Sequence, residues 1–234
     1  IDTETTSLNA RNAQLVGISL CRDLEQAWYI PDGHLDHQGK LLEGQLPMAE
    51  VKTAVAPFLV SPDVLKIGHN LKYDITVLQQ QWGVVCGGKL ADTLIAAYLT
   101  ESGGRSLKLD DLCHARGLRL TSFTEVTAGD KRADCFAYVD IDKAGMYSCE
   151  DVYGALLLWR EFAPLLKEKE VEDLFWQVEM PIVTILARME MVGICLDPTV
   201  LAALSVEFTG KLKILEQQIY GLAGHEFNIN SPAQ

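Results

Sequence analysis

The chain has 234 residues, of which 48% are hydrophobic, and its formal net charge is −12. This length suffices for one large domain or two small ones with a sizeable core. Because no run of about 18 apolar residues occurs, no segment is expected to span a membrane. The negative charge argues against a protein that coats DNA with a broad basic face, although it allows one that grips only a few nucleotides at one end.

The chain begins with Ile1-Asp2-Thr3, without an initiator Met and without the charged and apolar regions of a secretory signal. We therefore expect a fragment of a longer protein that starts in the middle of a strand. The six cysteines lie far apart and form no Cys-x-x-Cys pair, which favours reduced thiols and a cytoplasmic location. His34 and His37 lie in a Gly- and Asp-rich loop without a nearby cysteine, so a loop role is favoured over a zinc site.

The N-terminal residues have the pattern of strands. Residues 13–20 and 26–30 are apolar runs with β-branched or aromatic side chains, and Pro31 ends the second run. Together with the segment through Asp2, they predict three sequential strands joined by short turns, and hence antiparallel pairing.

Helix and strand signals then alternate. The predicted elements are a helix from Pro47 to about Leu59, a short strand at Val64–Gly68, a helix with Leu71, Ile75 and Leu78 on one face, a strand at Val84–Cys86, and a helix at Leu90–Leu99. Strands followed by such alternation favour an α/β fold with a mixed sheet flanked by helices.

The rest of the chain is predicted to be loop-rich and then helical. The predicted elements are loops at Gly103-Gly104 and over 117–137, a helix from Asp142 to about Leu166, a helix over 170–192 with a kink or junction at Pro181 and an end at Gly193, and a helix from Asp197-Pro198 to about Leu222. Since all the later elements are helical, we place a domain boundary between residues 168 and 169, which divides the chain into 1–168 and an all-helical segment, 169–234.

Two pairs of side chains have spacings that allow joint chemistry. Asp2 and Glu4 point to the same face if they lie on a strand, and two adjacent ionised carboxylates favour a bound cation. Tyr147 and Asp151 share a face of a helix, where a phenol can hydrogen-bond an attacking water. Taken alone, each pair is more typical of ordinary surface decoration than of a functional site. Asp74 lies early in its predicted helix, where a carboxylate also favours the helix dipole.

Basic residues gather in the sequence between Asp74 and Tyr147. They are compatible either with a solvated face or with a nucleic-acid groove, and they are Arg105, Lys108, Arg116, Arg119, Lys131 and Arg132.

Taken together, the segments resemble the 3′–5′ exonuclease region of bacterial-type DNA polymerase I (family A), within the DEDD exonuclease superfamily. The matching motifs are Asp2-Thr3-Glu4-Thr5 with Leu8, Asn70-Leu71-Lys72-Tyr73-Asp74, and Tyr147-x-x-x-Asp151, which is the tyrosine form of the third motif. The resemblance covers nearly the whole chain, since Glu179-Met180-Pro181, residues 187–190 and residues 227–232 are similar to the opening helices of the polymerase domain.

The resemblance implies a ribonuclease H-like fold and a set of roles. Asp2 would bridge two divalent ions, Mg²⁺ or Mn²⁺, which suit an all-oxygen ligand set. Glu4 and Asp151 would complete the shell of the first ion, and Asp74 would serve the second. Tyr147 would orient the nucleophilic water. Three further residues match substrate-binding positions, where Leu8 and Phe123 contact the terminal base and Asn70 helps to position the strand end.

The implied activity is removal of mononucleotides from a single-stranded or frayed 3′ end of DNA, with the remainder of the polymerase chain as partner. A mismatched end frays more easily and reaches such a site more often, which is proofreading. Two alternatives remain open: an RNA-trimming 3′–5′ exonuclease with the same ligand set, and a catalytically inactive module that docks the polymerase. His69, just before the second motif, is expected to be a packed or hydrogen-bonded neighbour rather than a catalytic base.

Overall fold

A computed structural model describes residues 1–101, 106–132 and 134–231. The strands are β1 (Asp2–Thr5), β2 (Leu15–Asp23), β3 (Gln26–Pro31), β4 (Lys66–Gly68) and β5 (Leu90–Asp92). The helices are α1 (Met48–Val60), α2 (Lys72–Trp82), α3 (Thr93–Thr100), α4 (Leu109–His114), α5 (Phe123–Val126), α6 (Ile141–Glu168), α7 (Glu172–Leu174), α8 (Met180–Val192) and α9 (Pro198–Ala223). A 3₁₀ turn at Cys135–Tyr138 and a π-helical turn at Phe175–Glu179 complete the regular elements.

The first three strands form an antiparallel sheet in the order β1-β2-β3, as the sequence predicts. The turn between β2 and β3 is tight because Asp23 Oδ1 accepts the main-chain N–H groups of Glu25 and Gln26. The first half of β2 is buried. In β1 the two end residues are partly exposed and the two middle residues are buried. The central strand therefore builds the core, and β1 carries polar side chains beside it.

Strands β4 and β5 pair in parallel, with Lys66 opposite Leu90. Ile1 N donates to Ile67 O at 2.8 Å, so β4 lies beside the start of β1. The described strands thus form a three-stranded antiparallel sheet and a two-stranded parallel sheet, and the Ile1–Ile67 hydrogen bond holds β4 beside the start of β1. This arrangement confirms the predicted mixed sheet flanked by helices.

The predicted strand at Val84–Cys86 and the predicted start of the following helix at Leu90 are wrong. Val84–Cys86 is not a strand, because Gly83 and Gly88 adopt positive φ angles (65° and 64°) and residues 83–88 form a connection rather than an extended segment. The strand lies instead at Leu90–Asp92, within the residues that were predicted to open a helix. The helix begins only at Thr93, since the Asp92 side chain accepts the Leu94 N–H at 2.9 Å and caps it.

The stretch 117–137 contains more regular structure than predicted. Ser122 and Glu125 form a reciprocal capping box that starts the short helix α5. The 3₁₀ turn that follows buries Phe136. The predicted Gly103-Gly104 loop, together with Arg105, lies outside the described residues.

Helix α6 is the longest element and packs against the sheet and α3. Its start is fixed by Asp140, whose side chain accepts the Lys143 N–H. Phe162 and Leu158 are fully buried along its inner side, and each such side chain contributes roughly 1.5–3 kcal/mol through burial. This packing anchors the C-terminal half of α6 in the hydrophobic core.

The helical prediction over 170–192 is confirmed, since α7, the π-helical turn and α8 follow one another. The π turn ends directly before Met180-Pro181, where the proline lacks an N–H donor and an ordinary i→i−4 bond cannot form. Asp197 caps α9, as the Asp-Pro signal predicts.

The chain divides into two compact units, Ile1–Val192 and Gly193–Gln234. None of the described residues of α9 is buried, and no described helix is both long and apolar enough to cross a bilayer. The functional boundary between residues 168 and 169 stays a prediction.

Candidate active site

Strand β1 delivers two carboxylates to one place. Asp2 and Glu4 lie two residues apart on the strand, and Glu4 is only 7% exposed. Helix α6 brings Asp151 to the same place from a distant part of the sequence. One carboxylate oxygen from each of Asp2, Glu4 and Asp151 lies within 4.8 Å of the other two. The convergence predicted for these three residues is therefore present.

Asp74 belongs to the same cavity but not to this group of three. It lies in the first turn of α2 and is 2% exposed. Its Oδ1 accepts two hydrogen bonds from Thr3, one from the main-chain N–H at 2.9 Å and one from the hydroxyl at 2.6 Å. These bonds fix the Asp74 carboxylate against β1.

Burial dominates the electrostatics of the cluster. It raises the pKa of Asp2 to about 6 and that of Asp151 to about 8. Burial, followed by the charge of Asp2, also raises the pKa values of Glu4 and Asp74 well above their ordinary range. Four carboxyl groups that resist ionisation in one place are the arrangement that a divalent cation would stabilise in the charged form.

One atom provides a direct test of whether a cation fits. Asp151 Oδ1 is buried and has no hydrogen-bond partner among the described residues. A buried acceptor without a partner is costly, and a hard cation held with Asp2 and Glu4 would satisfy it. The donor set is entirely carboxylate oxygen, which suits Mg²⁺ or Mn²⁺.

Tyr147 lies one turn before Asp151 on α6, as predicted. Burial and then the charge of Asp151 raise its pKa, so the phenol stays protonated. Phe136 and Phe123 pack around it, with ring centroids 5.7 and 6.5 Å from the Tyr147 ring. The aromatic group holds the phenol in place.

All eight sequence-predicted site residues line one cavity of about 1430 Å³: Asp2, Glu4, Leu8, Asn70, Asp74, Phe123, Tyr147 and Asp151. Leu8 is 98% exposed and Phe123 is 48% exposed, so both present apolar surface at the cavity. Asn70 has φ +61°. The cavity has room for a nucleotide, and its lining combines carboxylates with apolar side chains.

Several positioning contacts were not predicted. Asp92 accepts the main-chain N–H groups of Asn70 and Leu71 at 2.9 and 2.8 Å, which stabilises the unusual backbone at Asn70. Ser148 donates to Glu4 Oε1 at 2.7 Å. An Asp before an apolar run is a helix-cap signal that could have identified Asp92, whereas no local pattern pairs Ser148 with Glu4.

The segment that leads to Leu8 is also anchored. The Tyr73 phenol makes short hydrogen bonds with the Thr5 hydroxyl and the Ser7 carbonyl. Tyr73 lies next to Asp74 on α2, so the helix that carries one carboxylate also holds the chain that presents Leu8. This contact too was absent from the predictions.

The basic residues divide into two groups. Lys108, Lys131 and Arg132 line the cavity, and Arg132 is also paired with Asp130 at 2.7 Å. Arg116 is instead bound to Glu101 and Glu161, and Arg119 is bound to Glu125. Half of the predicted cluster therefore lies at the cavity, and three of its described members, Arg116, Arg119 and Arg132, are engaged in ion pairs.

Two of the histidines considered from the sequence, His69 and His34, are hydrogen-bonded. His69 contacts Thr93 Oγ1 at 2.9 Å and Leu107 O at 3.0 Å, and burial lowers its pKa to about 4. The prediction of a hydrogen-bonded neighbour is confirmed. His34 is buried between the Tyr29 hydroxyl and Val139 O, and the six cysteines are free thiols.

Comparison with known proteins identifies the family. Residues 1–167 match the family model described as 3′-5′ exonuclease. The chain belongs to this family. The match ends beside the last turn of α6, and the three carboxylates of the cluster, Asp74 and Tyr147 all fall within the 3′–5′ exonuclease region.

The relatives of this exonuclease chain are polymerases. It is 35% identical to DNA polymerase I of Rhizobium leguminosarum and 33% identical to that of Pseudomonas aeruginosa, with 100% of the chain covered in both alignments. It spans only 24% and 26% of those two proteins. The chain is thus similar to about a quarter of each polymerase.

Solved structures support the fold. The DNA-bound POL domain of Pol1 from M. smegmatis matches with a TM-score of 0.67 and 24% identity, over 99% of this chain and 35% of that one. Brucella melitensis NrnC with bound Mg²⁺ matches with a TM-score of 0.61 and 18% identity, over 82% of this chain and 84% of that one. The ribonuclease H-like α/β fold of this chain is therefore shared with both of these structures.

Proposed function

We propose that this exonuclease domain uses two divalent metal ions to hydrolyse DNA from its 3′ end and to release mononucleotides. One observation carries the proposal. Oxygens of Asp2, Glu4 and Asp151 lie within 4.8 Å of one another, and one of the Asp151 oxygens is buried without a partner. The cavity around them is large enough for a nucleotide.

Asp2, Glu4 and Asp151 would hold the first ion. Asp2 would also share the second ion with Asp74, whose Oδ1 is engaged by Thr3 and whose Oδ2 would face the cation directly or through water. The bound ions would supply an acidified water for the attack and neutralise the charge that develops on the departing 3′ oxygen.

The chain's own groups would orient the substrate. The protonated Tyr147 phenol would exchange hydrogen bonds with the attacking water, and these bonds would fix the direction of attack. Leu8 and Phe123 would contact the terminal base, because apolar and aromatic surfaces favour an unpaired base. Lys108 and Lys131 would neutralise phosphates of the entering strand, whereas Arg132, which also lines the cavity, is already paired with Asp130.

The wider context is also a proposal. The similarity to DNA polymerase I over the whole chain supports a proofreading part of such an enzyme, acting in the cytoplasm. The segment 169–234 would be the helical start of a polymerase domain, and the remainder of the polymerase would be its partner. Proofreading follows physically, since a mismatched terminus frays and enters the site more often.

A competing substrate class has a specific observation in its favour. NrnC has been solved bound to pGG, and it shares the fold over most of this chain at a TM-score of 0.57. A short-oligonucleotide or RNA-trimming activity is therefore the second candidate. The third candidate, an inactive module, predicts no cation binding at Asp2.

The test uses one strand with labels at either end. A single-stranded DNA labelled at its 3′ nucleotide should release labelled mononucleotide with Mg²⁺, and the same strand labelled at its 5′ end should give a ladder of shortened products. RNA of the same sequence and a dinucleotide serve as competing substrates. Release from the 5′ end, no release at all, or faster turnover of RNA or the dinucleotide would overturn the proposal.

A further inference from the structure

Ser148 is a fully buried residue of α6 that lies between Tyr147 and Asp151 in sequence. Its hydroxyl donates to Glu4 Oε1 at 2.7 Å across a separation of 144 residues. That distance is typical of an O–H···O hydrogen bond. The bond therefore joins the helix that carries Asp151 to the strand that carries Asp2 and Glu4.

The geometry assigns the two Glu4 oxygens different tasks. Oε1 is occupied by the Ser148 hydroxyl, so Oε2 is left for a ligand. Glu4 is 7% exposed, so bulk water cannot readily replace a missing donor. Without the Ser148 hydroxyl, the Glu4 carboxylate would be free to rotate. It could then offer either oxygen, or neither, to the cation that Asp2 and Asp151 would hold.

The same arrangement occurs at the neighbouring carboxylate. Thr3 holds Oδ1 of Asp74 with its hydroxyl at 2.6 Å and with its main-chain N–H. Two buried carboxylates of the cavity thus each have one oxygen held by a hydroxyl from another element. Outer partners of this kind orient metal ligands, and their loss typically weakens metal affinity about 10- to 100-fold.

We propose that Ser148 is a positioning residue that fixes Glu4 so that its free oxygen meets the cation held by Asp2 and Asp151. The inference rests on the proposed two-metal function. It differs from a purely space-filling role, in which Ser148 would only complete the packing of α6 against β1. A space-filling serine can be replaced by alanine without changing the affinity of the cluster for a cation.

The experiment measures Mn²⁺ binding without substrate, by calorimetry or electron paramagnetic resonance, on the whole chain. Ser148→Ala removes the hydroxyl and adds no atoms, so the fold should be retained. We expect the dissociation constant of the tighter Mn²⁺ site to rise about tenfold. At saturating Mg²⁺, KM for single-stranded DNA should stay unchanged and kcat should recover most of its value, because the excess cation selects the productive Glu4 orientation.

Two further variants separate the possible outcomes. Ser148→Thr keeps the hydroxyl and should restore Mn²⁺ affinity. Thr100→Ala removes another buried hydroxyl, which donates to Ala96 O within α3, and should leave Mn²⁺ affinity unchanged.

Equal Mn²⁺ affinity in the wild type, Ser148→Ala and Thr100→Ala would overturn the role of Ser148 while leaving the two-metal function intact. Absence of Mn²⁺ binding and of DNA hydrolysis in the wild type would instead overturn the proposed function, and the role of Ser148 with it.

Discussion

Thr3 donates both its main-chain N–H and its hydroxyl to the same oxygen of Asp74, at 2.9 and 2.6 Å. The two residues are 71 positions apart in sequence, and their contact joins β1 to the first turn of α2. Asp74 is thereby fixed beside the other carboxylates although it is not one of the three that converge most closely.

Removal of the Thr3 hydroxyl should weaken metal use. Thr3→Val keeps the shape and the main-chain donor but removes one hydrogen bond to a buried carboxylate, a loss of about 1–2 kcal/mol. We expect the Mg²⁺ concentration for half-maximal exonuclease activity to rise about tenfold, as measured by a metal titration. Thr100→Val is the matched control, and an unchanged Mg²⁺ requirement in Thr3→Val would contradict the expectation.

Loss of a carboxylate from the cluster should abolish activity. Asp151→Asn removes a charged ligand of the proposed first ion and keeps nearly the same volume. Release of mononucleotide from 3′-labelled single-stranded DNA should fall more than about 100-fold, beyond the loss typical of residues that only orient a ligand. Circular dichroism should stay unchanged.

Asp142→Asn is the control for this change, because Asp142 is an exposed carboxylate in the first turn of the same helix. If both variants kept full activity, Asp151 would not be a ligand.

The Tyr147 hydroxyl should act on turnover rather than on binding. Tyr147→Phe keeps the ring that packs against Phe136 but removes the group that would orient water. We expect kcat to fall about 100-fold while KM for single-stranded DNA changes little, as steady-state kinetics would show. Tyr153→Phe, on the same helix, is the control. A rise in KM with unchanged kcat would assign Tyr147 to substrate binding instead.

The apolar side chains at the cavity should act on binding. Stacking of one base on an aromatic side chain contributes about 1–3 kcal/mol, so Phe123→Ala should raise KM for single-stranded DNA roughly tenfold. Leu8→Ala should lower the preference for mismatched over matched duplex ends, because a wedge helps to separate the terminal pair. Leu46→Ala removes a half-exposed leucine outside the cavity and should change neither quantity. Unaltered KM and unaltered mismatch preference would refute these roles.

The stability of the metal-free protein should fall as pH rises. Burial raises the folded-state pKa of Asp2 to about 6 and that of Asp151 to about 8, from the ordinary aspartate value of 3.8. The folded state therefore binds more protons than the unfolded state between about pH 4 and pH 8, and its free energy of unfolding decreases as pH rises through that window. Each unit of pKa difference corresponds to about 1.4 kcal/mol.

Thermal or chemical unfolding in a chelator, at pH 5 and at pH 8, measures this slope. Asp151→Asn should flatten it, and Mn²⁺ should stabilise the wild type more at pH 8 than at pH 5, since the ionised form binds the cation. A slope equal in the wild type and in Asp151→Asn would show that Asp151 titrates normally.

The local elements followed from short-range signals. The apolar face of Leu71, Ile75 and Leu78 predicted α2, and all three residues are buried. The Asp197-Pro198 signal predicted the start of α9. The error at Val84–Cys86 and Leu90–Leu99 arose because Leu90–Asp92 is stabilised as a strand by pairing with β4, a contact between distant residues that overrides local helix preference.

The amino-acid sequence by itself determined which groups take part: carboxylates spaced for one strand face, a phenol one helical turn from an acid, and motifs that resemble a known nuclease. Only the tertiary structure decided how each group is held. Three hydrogen bonds join elements that no spacing along the chain connects. They run from Ser148 to Glu4, from Thr3 to Asp74, and from the Asn70 N–H to Asp92. Such bonds depend on the packing of α6 and α2 against the sheet, because long-range contacts form only after the core has placed both partners within reach.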